Sequence, residues 1–127
     1  MSSKVTAIGS EEEGIEFTKK HDVALLFFDM PGCPHCENIR PAYYKMAETK
    51  EYSKVAFALV DIKNEANASM AKMLKLTGFP AFVFFQEGQP KDIVRGADEA
   101  GVREKLSAMA PKTSFTGNFV SFGGEAE

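Results

Sequence analysis

The chain has 127 residues, 44% apolar and 26% charged, which fits one globular domain with one core. Its formal net charge is −3, and the interleaved signs exclude a basic nucleic-acid face and a like-charge tail. No apolar run approaches the ~20 residues that cross a bilayer, and the opening MSSKVTAIGS lacks the apolar core of a signal peptide. Taken as a whole gene product, the chain is expected in the cytoplasm as a monomer, with no nucleic-acid or membrane partner. In that reducing compartment its two cysteines read as catalytic or metal-binding more than as a structural staple.

Lys4 to Ile8 suits a short first strand. Ser10 is placed to cap a helix, with Glu13 three residues on as in a capping box and acids in the first turn. This helix should turn Ile15 and Phe17 inward and end near His21. VALLFFD, Val23 to Asp29, is an almost unbroken apolar run, as in a parallel strand covered on both faces. The segment CPHC follows and enters a helix from about Pro34 to Lys50. VAFALVDI, Val55 to Ile62, is a second buried strand. Asn64 to Thr77 reads as a helix with an apolar stripe of Ala68, Met70, Ala71, Met73 and Leu74, and Gly78 suits its end. Ala81 to Gly88 is a strand entering a turn, KDIVRG returns as an edge strand, and Asp98 caps a last helix carrying Val102, Leu106 and Met109. The alternation predicts an α/β domain with helices on both faces of a parallel sheet, extended by an antiparallel hairpin. The domain should span residues 1–110. The segment 111–127 is rich in Gly, Ser and Thr and is expected to be a flexible tail, although Phe115, Phe119 and Phe122 share a helical spacing.

The chemistry concentrates in Cys33-Pro34-His35-Cys36. Sulfurs three residues apart on a first helical turn can come within disulfide range. Cys33, at the helix start, faces unpaired N–H groups and the positive dipole end, which favour the reactive thiolate. Pro34 fits the first helical position. His35 offers a donor and, when protonated, a positive charge; its plain alternative is a solvated surface histidine. Cys36, further along the helix and under the surface, would attack a mixed disulfide held by Cys33. Other readings stay open: half of a zinc site, though no second CxxC exists and His21 is the one other soft ligand; a metal bridged between two chains; or a structural disulfide.

At these residues the sequence resembles the thioredoxin superfamily. Locally, MPGCPHCENIRPAYYKMAE is similar to the A-P-W-C-G-H-C-K-x-L-x-P-x-Y-x-K-x-A pattern of protein disulfide isomerase catalytic domains. Pro31, Cys33, His35, Cys36, Pro41, Tyr43, Lys45 and Ala47 match in register. The Pro-His dipeptide is similar to that of a strongly oxidising periplasmic relative. TGFPAFVFFQEGQ resembles the family's second signature and sets Pro80 at its cis-proline, and Gly96 matches the glycine before the last helix. The resemblance covers about residues 5 to 110. It implies a thioredoxin fold with a central mixed five-stranded sheet, and a thiol–disulfide oxidoreductase working without cofactor or metal. Its partners would be disulfide-containing proteins and a thiol reductant or reductase. It also implies that Gly32, Phe79 and Pro80 bind substrate, with the Phe79 backbone open to an added strand. An ordinary trans Pro80 is the plain alternative.

The departures from the pattern are specific. Gly32 stands where the family has Trp. Phe27 stands where it has a buried acid, and Leu59 replaces the acid's charged partner. Proton transfer would then fall to Asp29, Glu37, His35 or water. Asp29 shares a strand face with Phe27, unless it is simply solvated at the strand end. Pro-His and the missing acid both push toward an oxidising potential, roughly −230 to −170 mV. A glutathione-dependent, glutaredoxin-like reductase and a non-enzymatic binding or scaffold module are the alternative functions.

Overall fold

The computed structural model describes residues 3–110. Strand β1 (Val5–Ile8) leads to helix α1 (Glu11–Lys20), β2 (Val23–Asp29), α2 (Pro34–Glu48) and a 3₁₀ turn at Lys50–Tyr52. Then come β3 (Ala56–Asp61), α3 (Glu65–Met73), β4 (Ala81–Gln86), β5 (Gln89–Arg95) and α4 (Glu99–Met109). The strands form one sheet in the order β1-β3-β2-β4-β5. β3 pairs in parallel with β1 and β2, β4 runs antiparallel to β2, and β5 runs antiparallel to β4. The mixed sheet predicted from the alternation is therefore present. The expected tail, with Phe115, Phe119 and Phe122, lies outside the described residues.

Every residue of β2 is buried, because alternate side chains feed two cores. Val23, Leu25 and Phe27 pack with Ile39, Tyr43 and Met46 of α2 and Val102 and Leu106 of α4. Ala24, Leu26 and Phe28 pack on the other face with Met70 and Ala71 of α3. Each large apolar side chain so covered contributes about 1.5–3 kcal/mol. Tyr43 crosses beneath the sheet, and its hydroxyl donates to the carbonyls of Leu25 at 3.0 Å and Ala58 at 2.6 Å, which locks α2 to β2 and β3.

The helix starts follow the capping residues. Ser10 Oγ accepts the Glu13 N–H at 3.2 Å, while the Glu13 carboxylate turns back to the N–H of Gly9 at 2.7 Å. Asn64 and Asp98 cap α3 and α4 through Ala66 N–H and Gly101 N–H. Three details differ from expectation. Ile15 is 37% exposed and Met73 is 56% exposed. The reason is that α1 approaches α3 through Gly14, where an added Cβ would lie 2.2 Å from Met70 Cε. This turns Gly14 and Thr18 inward and leaves Ile15 at the rim. Finally, α3 stops at Met73 and not near Gly78. Lys75 takes a left-handed φ of 58°, with Lys75 N–H bonded to the Lys72 carbonyl and Leu76 N–H to the Ala71 carbonyl. That is a Schellman ending built on lysine.

Candidate active site

β2 ends at Asp29, whose carbonyl accepts the Ile62 N–H at 3.0 Å, so the site starts from an anchored edge. The chain then turns through Met30, Pro31 and Gly32. Gly32 has φ +90°, which suits glycine, and the Met30 carbonyl accepts the Cys33 N–H at 3.0 Å. Cys33 is the N-cap of α2. Its Sγ accepts the Cys36 N–H at 3.5 Å, and its thiol donates to the Phe79 carbonyl at 3.7 Å. Pro34 opens the helix without needing a donor there. Both cysteines are free thiols; Cys33 is partly exposed and Cys36 buried.

The same short geometry sets two different thiols. The backbone N–H of Cys36, followed by the Cys36 thiol as donor, holds Cys33 below the ordinary thiol range. Burial pushes Cys36 up to about 12, and the hydrogen bond and charge of Cys33 and the charge of Asp29 add to the rise. His35 is exposed, and its share in favouring the Cys33 thiolate comes through its backbone N–H.

Phe79 and Pro80 face this pair from the start of β4. The peptide bond between them is cis. Phe79 is half-buried, and buried Pro80 passes its carbonyl to the Gly96 N–H at 2.8 Å. Gly32 is open to solvent. Phe27 stacks on Phe82 at 4.8 Å and meets Tyr43 edge-on at 4.9 Å, while Leu59 is its register partner on β3. Aromatic packing fills the position where an acid would be expected. His21 caps the end of α1 and packs on Phe17, at the opposite end of β2 from the cysteines.

Asp29 is not solvated at the strand end: it is 3% exposed. Arg40 binds it, with Nη2 at 2.8 Å from Oδ1 and 2.9 Å from Oδ2, and Nε at 3.1 Å from Oδ2. Glu37 accepts from Arg40 Nη1 at 3.3 Å and from the Gly32 N–H at 3.2 Å. Arg40 itself is missed by the motif. A signal was present, since Arg40 follows inward-facing Cys36 by four residues and so lies on the same helix face. Lys63 is also missed; its Nζ lies 3.8 Å from where a Cβ on Gly32 would stand, a loop contact with no periodic signature.

The family model for thioredoxin matches residues 9–108. The chain belongs to the thioredoxin family. A thioredoxin of Geodia cydonium is 36% identical over 85 residues, which are 66% of this chain and 76% of that protein. A probable protein disulfide-isomerase A4 of Caenorhabditis elegans is 33% identical over 89 residues, 69% of this chain but 14% of the relative. The chain thus spans a small part of such isomerases and most of a thioredoxin. The crystal structure of Malassezia sympodialis thioredoxin superposes with a TM-score of 0.78 at 28% identity, covering 84% of this chain and 91% of that one. Thioredoxin-family membership and the paired thiols Cys33 and Cys36 together support thiol–disulfide oxidoreductase chemistry.

Proposed function

We propose that Cys33 is the nucleophile and Cys36 the resolving thiol of a protein disulfide reductase or isomerase. The observation that carries this reading is the split between the thiols: a partly exposed N-cap sulfur favoured as thiolate beside a buried sulfur kept protonated. Cys33 thiolate attacks one sulfur of a substrate disulfide. The substrate S–S bond breaks, a Cys33–substrate disulfide forms, and the other substrate sulfur leaves as a thiolate that takes a proton from water. Cys36 then loses its proton and attacks Cys33 Sγ. The second substrate thiolate leaves, two electrons have passed to the substrate, and Cys33 and Cys36 are joined. An external thiol reductant or reductase restores the dithiol.

Asp29, whose charge reaches both sulfurs, is assigned the Cys36 proton ahead of Glu37, since its carboxylate keeps lone pairs beyond those used by Arg40. Gly32, Phe79 and Pro80 form the substrate edge, Pro34 sets the helix start and His35 borders the nucleophile. The compartment that suits this direction is a reducing cytoplasm, the working form is a monomer, and the catalytic unit is residues 1–110.

Insulin reduction with variant controls tests the assignment. The unaltered chain should precipitate insulin chains in the presence of dithiothreitol. Cys36→Ser should accumulate mixed disulfides, and Cys33→Ser should trap few. Faster alkylation of Cys36 than of Cys33 would reverse the roles.

A further inference from the structure

Arg40 has no part in the exchange steps above, yet it is the most connected charged side chain at the site. Its guanidinium takes both oxygens of buried Asp29 through Nε and Nη2. Its remaining nitrogen, Nη1, holds Glu37 Oε1, and Glu37 Oε2 accepts the N–H of Gly32, the residue before Cys33. One side chain therefore links the strand that carries the acid to the turn that presents the N-cap sulfur. A planar fork is needed for this, because it serves two carboxylates in fixed directions.

The charged and titratable groups around the sulfurs come from few elements. β2 supplies Asp29; α2 supplies His35, Glu37 and Arg40; β3 supplies Asp61, the register partner of Asp29; the loop after β3 supplies Lys63. The Phe79–Pro80 segment supplies none. Of these, Asp29 is the buried charge, and an unmatched buried carboxylate opposes ionisation of a neighbouring thiol.

We propose that Arg40 is a positioning residue for the thiol pair, neutralising Asp29 beside the sulfurs and anchoring, through Glu37, the turn that presents Cys33. This rests on Cys33 being the nucleophile. Without Arg40, the Asp29 charge acts on Cys33 undiminished and the Gly32 turn loses its brace. Removing both members of the pair takes the opposing charge away with its partner.

The test is the pH dependence of iodoacetamide labelling, read separately at Cys33 and Cys36 by peptide mass in the full reduced chain. Arg40→Gln should move the Cys33 midpoint upward, slowing its labelling about tenfold at a fixed pH below that midpoint. The pair Arg40→Gln with Asp29→Asn should return the rate to within about threefold of the unaltered chain, and Arg40→Lys, which keeps charge but not the fork, should fall between. A purely structural role would change melting without moving the midpoint. If Arg40→Gln does not fold, Arg40→Lys against the double variant carries the same comparison. An unmoved Cys33 midpoint in Arg40→Gln and Arg40→Lys overturns the proposal, as does a double variant no closer to the unaltered chain than Arg40→Gln. If Cys36 is labelled first in the unaltered chain, the nucleophile assignment itself falls, which is a separate outcome.

Discussion

Cys33 and Cys36 stand three positions apart, and that short step moves a thiol from a capping position at the surface to the inside of the core. The consequence for stability follows from linkage. Cys36 sits at about 12 in the folded chain, against roughly 8.5 for a free thiol. The folded state keeps this proton longer, so the associated stability is fully present below about pH 8.5 and is lost as pH rises through the folded value. Denaturant unfolding of the reduced chain should show this decline, and Cys36→Ala should flatten it. His35 gives a second prediction at this scale. Its backbone N–H survives substitution, and an exposed charge pair is worth about 1 kcal/mol or less. His35→Ala should therefore move the Cys33 labelling midpoint by less than about 0.7 pH unit, since one unit corresponds to about 1.4 kcal/mol. A larger displacement would give the imidazole itself a direct role.

At the scale of elements, starts were more legible than ends. Ser10, Asn64 and Asp98 announce their helices because a short polar side chain has one strong use there, receiving an orphan N–H. The end of α3 differs from the expected one because the usual glycine signal points to Gly78, while the chain closes the helix with Lys75 at positive φ. Lysine pays a steric cost in that region that glycine does not. Lys75→Gly should raise stability by about 0.5–1 kcal/mol, measured by urea unfolding; an unchanged or lower midpoint would show that the lysine side chain compensates. Ile15 departs from its expected inward position for another reason. Periodicity locates an apolar stripe but not the axis along which two helices touch, and the contact at Gly14 fixes that axis. Ile15 and Met73 consequently border the same groove between α1 and α3.

For the molecule as a whole, the mixed sheet was readable because β1, β2 and β3 are joined by helices while β4 turns straight back into β5; the strand order β1-β3-β2-β4-β5 is seen only in the structure. Cys33 and Cys36 were readable as a pair because spacing alone puts them on one turn. Arg40 was less so: its spacing from Cys36 marks its helix face, but its partner shows only when the strand end opposite is seen to carry Asp29. The pairing bears on the redox balance. Stabilising the Cys33 thiolate favours the reduced form, the Asp29 charge opposes it, and Arg40 offsets that charge. The potential is accordingly expected at roughly −230 to −170 mV, checked by equilibration with glutathione buffers; a value near −270 mV would mean that the cap contributes little.

The depth of Cys36 also makes this molecule a clock. With Cys33 as the proposed nucleophile, release of a covalently attached partner waits for a second thiol that burial holds in its protonated form. While that thiol is mostly protonated, each unit of acidification thins the attacking thiolate about tenfold, so the dwell time of a captured partner should lengthen in proportion. Acid quenching of a working mixture should recover covalent adducts from the unaltered chain, in amounts that grow as the pH before quenching falls.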